Sequence, residues 1–415
     1  MIQKIYSLID RNQKSLCESL QDLVRIPTVN PPGDNYAEIV NLLDEWCREL
    51  GMQTHIVPVS EAEAIEIVPH ANVYPRMNLI ARWMVGAEKT IHFNAHFDVV
   101  PASGNWDSHP FDPQIKGDWL YGRGSDDMKD SIASFLFAIA ALKDTGVKPA
   151  FNIECSFTCD EEIGGDLGAG EVVRKGLVQA DYAVNLEGST GLTVCNGHHG
   201  VLWVEVTVHG KAAHAANPAD GLNAFEKTAE LVNALQPLKE EFDKSTRIFK
   251  MAPDIERRPT INIGGVFNGT AGDKVNTVPA QLTFSIDRRI PPNEQLNRAE
   301  SELRGAIQHA CKENPNLEVD VKSTLRIEPC LVDSKLPFLQ AFAQSVRAVR
   351  RNPIKWAPAG GFTDLHFFVE EGKKIPGVGY GPRGEGAHGI NERVSISDMV
   401  KTAKIYATFM AHAKL

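Results

Sequence analysis

Apolar segments with strand character alternate with long helical segments in the N-terminal half of the chain, and this alternation constrains the fold more than any other feature. The segments "TIHFNAHFDVV" and "FNIECSFT" stand on either side of "DSIASFLFAIAALKDTG", which has the length and apolar content of a buried helix. Because runs of strand, helix and strand build parallel sheets covered by helices, we predict an α/β domain with a mixed, largely parallel sheet.

The pattern changes near residue 200. "GVLWVEVTVHG" alternates as a half-exposed strand does, and the segments that follow predict the order β-α-β-β-α-β, a small antiparallel sheet with two helices on one face. The 415 residues also exceed one ordinary core. We therefore predict an α+β domain at residues 200–325, inserted into a larger domain made of residues 1–199 and 326–415.

Composition excludes several classes of protein. The formal net charge of −10 argues against a nucleic-acid-binding protein. The apolar runs are too short to span a membrane, and the N-terminus lacks the apolar stretch of a signal peptide. The seven cysteines are odd in number and scattered, which predicts buried free thiols and a cytoplasmic location.

Chemically active side chains stand at the ends of the predicted strands. In "HFNAHFDVVP", His96 and Asp98 are two residues apart, so on a strand they face the same side. His96 could therefore bind a metal ion while the carboxylate of Asp98 fixes the orientation of the imidazole ring. Taken alone, His96 also fits a structural histidine whose polar atoms are satisfied.

Two acidic pairs follow other predicted strands. "GRGSDDMK" places Asp126 and Asp127 after a glycine-rich turn, where one carboxylate could cap the next helix and the other is left without a role. "TCDEEIGG" places Glu161 and Glu162 after a buried strand. Neighbouring side chains of an extended chain point in opposite directions, so one could bind a cation while the other faces a reacting water. The alternative is a loop of solvated acids, and the glycine pair that follows argues against it.

Two further residues complete a set of potential ligands. "NLEGS" places Glu187 at another strand end, and "EGAHGINE" places His388 in a glycine-rich loop. The set consists of His96, Asp127, Glu162, Glu187 and His388. Because parallel sheets keep their sites at the carboxyl edge, we expect these side chains to converge there. Two imidazoles and three carboxylates suit two divalent ions, Zn²⁺ or else Co²⁺ or Mn²⁺, with one carboxylate between them.

These motifs, in this order, resemble the M20 metallopeptidase and deacylase family, which includes acetylornithine deacetylase, succinyl-diaminopimelate desuccinylase, aminoacylases and glutamate carboxypeptidase. The resemblance extends from "RIPTVNPPG" to "AHGINERV". It implies that the larger domain is a zinc-peptidase-like catalytic domain and that residues 200–325 form a lid or dimerisation domain. It also implies a homodimer formed through that domain.

The resemblance implies a role for each ligand. His96 and Glu187 would hold the first ion, Glu162 and His388 would hold the second, and Asp127 would bridge the two.

The same resemblance implies the remaining catalytic and substrate-binding residues. Asp98 would support His96, and Glu161 would be the general acid and base. His214 of "GKAAHAANPADGLNA" would polarise the scissile carbonyl in a neighbouring active site of the dimer. Asn276 and Arg289 would contact the carboxylate of the substrate.

The chain departs from the family pattern at two places. Asp130 replaces the glycine that commonly follows "DMK", and "GGFTDLHFF" replaces the common "GGTDAR". In that second motif Gly361, Thr363 and His366 correspond to substrate-binding positions, but His366 replaces an arginine and cannot provide the same bidentate fork for a carboxylate.

We therefore expect a dinuclear metal-dependent hydrolase that cleaves an amide C–N bond of a small N-acylated amino acid or dipeptide-like substrate. His366 and Phe362 motivate a second hypothesis, a hydrolase that releases ammonia or a carbamoyl group from an aromatic or N-carbamoyl compound. A third is a homologue that has lost catalysis.

Overall fold

The computed structural model describes residues 1–68, 71–188, 191, 193–244, 247–252, 255–270 and 274–414. The chain divides into two compact units. The first unit consists of Met1–Gly197, Val332–Ala357 and Thr363–Leu415, and the second of His198–Leu331 and Pro358–Phe362. Within the second unit, the backbone carbonyl of Ala359 accepts a hydrogen bond from His199 N–H at 3.1 Å. The domain bounds 1–199, 200–325 and 326–415 stay a prediction.

The helices and strands follow the chain in this order. Up to residue 198 they are α1 Ile2–Arg11, α2 Gln13–Arg25, α3 Tyr36–Glu49, β1 Gln53–Pro58, α4 Glu61–Ile67, β2 Met77–Trp83, β3 Thr90–His96, β4 Gln114–Lys116, β5 Trp119–Tyr121, α5 Lys129–Asp144, β6 Asn152–Thr158, α6 Ala169–Arg174, β7 Tyr182–Asn185 and β8 Thr193–His198. From residue 200 to 331 they are β9 Gly200–His209, β10 Ala213–His214, α7 Ala224–Asp243, β11 Phe249–Ala252, β12 Ile255–Arg257, β13 Thr260–Gly269, β14 Thr277–Val278, β15 Gln281–Ile290, α8 Leu296–Glu313, β16 Glu318–Ile327 and β17 Cys330–Leu331. The last are α9 Pro337–Arg350, β18 Lys355–Ala359, α10 Leu365–Glu370, β19 Gly377–Gly379, β20 Gly384–Glu385, β21 Arg393–Ser395 and α11 Ile396–His412. Within the described ranges, no helix combines the length and the apolar character that crossing a membrane requires.

The first unit is built on a mixed sheet in the order β1-β2-β6-β3-β7-β19-β8. The central strands β6, β3, β7 and β19 are parallel, and β1, β2 and β8 are antiparallel to their neighbours. This confirms the predicted α/β class. In the register, His96 at the end of β3 pairs with Thr158 at the end of β6, and Asn94 pairs with Asn185 of β7. The segments that follow these three strands therefore leave the sheet at the same edge.

The two faces of this sheet differ in chemistry. Alternate residues of β3 and β6, such as Phe93 and Phe157, join the main apolar core with residues of α1, α2, α3, α5, α9 and α11. The opposite face carries buried polar side chains in hydrogen-bonding succession. His92 Nδ1 lies 3.0 Å from Oε1 of Glu154, and His92 Nε2 lies 2.8 Å from the hydroxyl of Ser156. Because every buried polar group costs free energy unless it is paired, this network fixes the register of the strands that lead to the sheet edge.

A second, four-stranded sheet in the order β20-β21-β5-β4 belongs to the same unit. The strands β20 and β21 flank the loop that carries His388, and β5 is followed directly by the "GRGSDD" turn. Since β21 pairs with β5, with Arg393 opposite Tyr121, this sheet brings the His388 loop beside the Asp127 turn.

The second unit has the predicted β-α-β-β-α-β order. Its antiparallel sheet runs β13-β15-β9-β16, and α7 and α8 pack on one face. Alternate residues of β9, Leu202, Val204 and Val206, face these helices, which explains the alternation seen in the sequence. The role of this unit as a lid or dimerisation domain stays a prediction.

Glu154 gives a pH-dependent test of the polar face. Its carboxylate is buried, yet it accepts hydrogen bonds from Arg82 Nε at 2.7 Å and from Gln179 N–H at 2.9 Å. Burial alone would raise the pKa of Glu154, but His92, Gln179 and Arg82 lower it from 4.5 to about 2. A carboxyl whose pKa is depressed in the folded protein contributes stability above its unfolded pKa and loses it as the pH falls toward the folded value.

We therefore predict that Glu154→Gln lowers the free energy of unfolding near neutral pH by on the order of 3 kcal/mol, and that the difference from the wild type shrinks between about pH 5 and pH 2. Urea denaturation across this range measures both. The exposed Glu45→Gln serves as the control and should change little. A difference that stays constant with pH would contradict this assignment of the Glu154 pKa.

Candidate metal centre

The carboxyl edge of the large sheet gathers the residues that the sequence singled out. Strand β3 ends at His96, so Asp98 lies just beyond the strand and not on it as predicted. The two residues nevertheless remain together: His96 Nδ1 lies 3.5 Å from Oδ1 of Asp98 and 3.1 Å from the backbone carbonyl of Asp98. This contact leaves the other ring nitrogen of His96, Nε2, directed toward the acidic residues.

Glu161 and Glu162 lie in a single 3₁₀ turn, Glu161–Ile163, and not in the extended chain that we predicted. The turn forms because Asp160, two residues beyond the end of β6, takes a left-handed conformation with φ 61°. Both backbone N–H groups at the start of the turn, those of Glu161 and Glu162, donate to the carboxylate of Asp98 at 3.2 Å. Asp98 therefore holds two things in place, the ring of His96 and the acidic turn.

The turn that carries Asp127 is held by a residue that sequence reasoning missed. Glu392 is fully buried, and its Oε1 accepts the N–H groups of Asp126 at 2.8 Å and Asp127 at 3.1 Å. Its Oε2 is 2.5 Å from Nη1 of Arg123, and Nη2 of Arg123 donates to the carbonyl of Gly389 at 3.0 Å. Helix α5 starts at Lys129 without a side-chain cap, so neither aspartate has the capping role that was the alternative. The "NE" of "AHGINERV" was the available signal for Glu392.

Five side chains form two overlapping groups around Asp127. His96 Nε2 is 3.2 Å from Oδ1 of Asp127, and His388 Nε2 is 3.2 Å from its Oδ2. His388 Nε2 is also 3.0 Å from Oε2 of Glu162. One ligand atom from each of His96, Asp127 and Glu187 lies within 4.8 Å of the others, and the same holds for Asp127, Glu162 and His388. Asp127 thus presents one oxygen to each group.

Glu161 lies inside this cluster but outside both groups. Its side chain is buried, and Oε2 stands 3.9 Å from His96 Nε2. A carboxyl group in this position is within reach of a molecule bound between the groups without belonging to either of them.

The pKa values of the acidic and imidazole groups show that the centre carries excess negative charge. Burial, together with the neighbouring carboxylates, raises the pKa of Glu161 and of Glu187 well above the ordinary value, and raises that of Glu162 to about 7. Conversely, hydrogen bonding to Asp127 and Glu162 raises the pKa of His388 to about 10. In the absence of cations, protons have to neutralise this cluster.

The residues fit a pair of divalent ions. Oε1 of Glu162 and Oε2 of Glu187 are buried oxygens with no hydrogen-bond partner among the described residues. Buried acceptors without donors are rare, and an ion is one of the few partners that would satisfy them. The donor set of imidazole nitrogens and carboxylate oxygens, with one carboxylate shared, is the chemistry expected of a two-ion site.

A further buried carboxylate, Asp364, lies beneath this cluster and was also missed. Its Oδ2 accepts a hydrogen bond from the Thr158 hydroxyl at 3.1 Å. A Cβ atom at Gly165, whose φ is +76°, would come within 2.4 Å of Oδ1 of Asp364, so only glycine allows this approach. Burial raises the pKa of Asp364 to about 7, and Asp98 adds to this while His96 opposes it. The quoted "GGFTDLHFF" contains Asp364, but its spacing gave no reason to choose it.

The two departures from the family pattern belong to neither of the two groups. Asp130 is buried in the first turn of α5, where its Oδ1 accepts the N–H of Ser131 at 2.7 Å. His366 is buried on α10, with Nδ1 2.8 Å from the carbonyl of Thr363 and its ring 3.9 Å from that of Phe367. Burial lowers the pKa of His366 to about 4, so this ring offers no positive charge at neutral pH. Thr363 itself is buried and accepts the N–H of Leu365.

The remaining predicted residues belong to the second unit. His214 is exposed and pairs with Thr277 in the short β10–β14 ladder, beside Asn276. Arg289 on β15 donates two hydrogen bonds to Oδ2 of Asp287, at 2.8 and 3.1 Å. Gly361 lies close to the guanidinium of Arg289. The second unit thus brings His214 to Asn276, and Arg289 to Gly361.

Comparison with known proteins gives a consistent result. A family model described as Peptidase family M20/M25/M40 matches residues 92–412. Aminoacylase-1A from Rattus norvegicus is 27% identical over 405 residues, which cover 94% of this chain and 92% of the relative. The solved structure of the di-peptidase Dug1p from Saccharomyces cerevisiae superposes with a TM-score of 0.84 at 17% identity, covering 99% and 98% of the two chains. The YXEP protein of Bacillus subtilis, described as a dinuclear metal-binding peptidase, has a TM-score of 0.63 at 16% identity, covering 97% and 98%.

Divalent ions should stabilise the fold, because they relieve the repulsion among buried carboxylates. We predict that Zn²⁺ added to metal-free protein raises the melting temperature, and that Asp127→Asn loses most of this increase, since Asp127 belongs to both groups. Differential scanning calorimetry measures the shift. Asp144→Asn, at the exposed end of α5, is the control and should respond like the wild type. An equal response of the Asp127 variant would contradict the shared role of Asp127.

Proposed function

The chain belongs to peptidase family M20/M25/M40, whose members are hydrolases of amide bonds, and from this premise we propose that it is a dinuclear metal-dependent hydrolase of a small N-acylated amino acid or dipeptide-like substrate. The observation that carries the proposal is the pair of ligand groups that share Asp127, with Glu161 beside them. In this proposal His96 and Glu187 hold one ion, and Glu162 and His388 hold the other. Zn²⁺ is the expected metal, with Co²⁺ or Mn²⁺ as alternatives.

The proposed chemistry divides between the bound ions and the chain. Two divalent ions held there would polarise the scissile carbonyl and lower the pKa of a water toward about 7. Glu161 accepts a proton from the attacking water and delivers it to the leaving nitrogen. Its burial and its distance from the ligand atoms suit this transfer, because the carboxyl group can exchange a proton without leaving an ion uncoordinated.

The second unit supplies the remaining parts of the proposal. Asn276 and Arg289 contact the carboxylate of the substrate, with Gly361 beside the guanidinium. His214 polarises the carbonyl from the partner subunit of a homodimer. The exposure of His214 supports this role, since an imidazole that serves another chain has to be accessible. Cys17, Cys47, Cys155, Cys159 and Cys311 are free thiols, which supports a cytoplasmic location.

The alternative of a deaminating or decarbamoylating hydrolase was motivated by His366 and Phe362. His366 is buried and neutral, which weakens that motive. Phe362 still supports the alternative with an aromatic substrate, because it is half-buried beside a second aromatic ring. The centroids of the Phe362 and Trp203 rings are 6.4 Å apart, in an edge-to-face arrangement.

A substrate panel tests the proposal and separates it from this alternative. We predict that protein loaded with Zn²⁺ or Co²⁺ hydrolyses N-acyl amino acids or dipeptides, and that Glu161→Gln lowers kcat by about 10²–10⁴-fold while the bound metal content stays the same. Steady-state kinetics and elemental analysis measure the two quantities, and Glu45→Gln is the control. Turnover confined to N-carbamoyl or aromatic amine compounds would favour the alternative. Near-normal turnover of the Glu161 variant would refute the role of Glu161.

The dimer has its own test. We predict that His214→Ala and Glu161→Gln each lose most of their activity, and that mixing and refolding them together raises activity well above that of either variant, because a mixed dimer contains one complete site. Failure to recover activity, in mixtures shown by native mass spectrometry to contain mixed dimers, would show that His214 does not act across subunits.

A further inference from the structure

Residues 28–30, in the segment before α3, pack beside the candidate metal centre. Their backbone joins the end of the β3 segment: Asn30 N–H donates to the carbonyl of Val99 at 2.8 Å, and Val99 N–H donates to the carbonyl of Thr28 at 3.0 Å. These two bonds place the side chain of Asn30 inside the protein, where 1% of the residue is exposed. The segment belongs to the "RIPTVNPPG" motif, to which no role has so far been given.

The amide of Asn30 contacts two carboxylates at once. Its Nδ2 donates to Oδ2 of Asp98 at 2.9 Å and to Oδ1 of Asp160 at 3.0 Å. Two buried carboxylates beside one another repel, so the two N–H groups of this amide stabilise a pair that would otherwise separate or take up a proton. No charged side chain could replace the amide without changing the charge of the centre.

The two carboxylates differ in what else holds them. Asp160 also accepts hydrogen bonds from the Tyr36 hydroxyl at 2.7 Å and from Arg76 Nε at 2.9 Å. Besides the amide of Asn30, the backbone N–H groups of the acidic turn donate to Asp98, at 3.2 Å each, and His96 stands 3.5 Å away. Among the side chains that the structure describes, the amide of Asn30 is therefore the closest donor that orients Asp98.

We propose that Asn30 is a positioning residue: by donating to Asp98, it sets the orientation of His96 and of the Glu161–Ile163 turn and thereby determines the affinity for divalent ions. The inference rests on the proposed function, because it assumes that this centre binds metal. Asp160 has a different role. Arg76 and Tyr36 hold its carboxylate in place, and that carboxylate in turn fixes the amide of Asn30.

Three variants separate this role from a purely structural one. Asn30→Ala removes both donated hydrogen bonds, and Asn30→Asp adds a third carboxylate as well. In the double variant Asn30→Asp/Asp160→Asn the total charge is that of the wild type. The amide introduced at position 160 can donate to the carboxylate introduced at position 30. That carboxylate has no N–H group, so the side-chain donor to Asp98 is missing in the double variant.

The test uses Co²⁺ as the probe, titrated into metal-free full-length protein and followed by its visible absorption, with urea denaturation as a separate measure of stability. Loss of a group that orients a ligand typically weakens metal binding about 10–100-fold, and we expect this loss in both single variants. We expect the double variant to regain much of the stability lost by Asn30→Asp while its Co²⁺ affinity stays low.

Asn152→Asp is the matched control. Asn152 lies at the opposite end of β6, where its Oδ1 accepts the N–H groups of Val85 and Ala87 and its Nδ2 donates to the carbonyl of Ala87. The same chemical change there should lower stability and leave Co²⁺ affinity unchanged.

Co²⁺ affinity equal to the wild type in the single variants would overturn the inference. So would recovery of affinity together with stability in the double variant, because the amide would then act through Asp160 alone. A wild-type protein that binds no Co²⁺ would instead contradict the proposed function, so the two failures can be told apart.

Discussion

Repulsion among carboxylates at one edge of a sheet is the interaction on which the rest of this structure depends. Asp127, Glu161, Glu162 and Glu187 converge there, and His96 and His388 are the imidazoles that group with them among the described residues. Burial of so many acids is unfavourable unless cations or protons compensate it. Burial raises the pKa of Glu161, Glu162 and Glu187, and one oxygen each of Glu162 and Glu187 has no hydrogen-bond partner among the described residues, so both observations indicate uncompensated negative charge.

The fold holds this unfavourable arrangement by fixing the backbone around it. Asp98 binds the N–H groups of the acidic turn, and Glu392 binds those of the Asp127 turn. Both anchors are themselves carboxylates, and each is held in turn by a buried donor: Asn30 for Asp98 and Arg123 for Glu392. The candidate ligands thus depend on a second layer of charged and amide groups, and the apolar core contributes mainly by fixing the strands from which these segments emerge.

The sequence predicted the parts of the molecule that follow from periodicity. Strand–helix alternation predicted the mixed sheet, and the alternation of "GVLWVEVTVHG" predicted the β-α-β-β-α-β order of the second unit. Acids and imidazoles at strand ends predicted the convergence of His96, Glu162 and Glu187, because parallel strands end at one edge. Asp127 and His388 join them from the four-stranded antiparallel sheet, which that rule does not cover. Those predictions depend on local pattern and on a general property of sheets.

What the sequence could not predict depends on contacts between distant segments. Glu392 and Asn30 both lie in recognisable motifs, but local sequence does not reveal that Glu392 contacts Asp127, 265 residues away, or that Asn30 contacts Asp98, 68 residues away. The extended geometry predicted for Glu161 and Glu162 was wrong because Asp160 takes a left-handed conformation, held by Tyr36, Arg76 and Asn30. From its position in the motif, His366 was expected to contact a substrate. In the structure its ring is buried and packs against Phe367, a contact that the motif does not reveal.

The most direct test is anomalous X-ray diffraction at the zinc edge from crystals of the protein grown with Zn²⁺. The account predicts two peaks in each chain, one among His96, Asp127 and Glu187 and the other among Asp127, Glu162 and His388. A centre without peaks, or zinc bound only at surface histidines while these side chains stand apart, would contradict it.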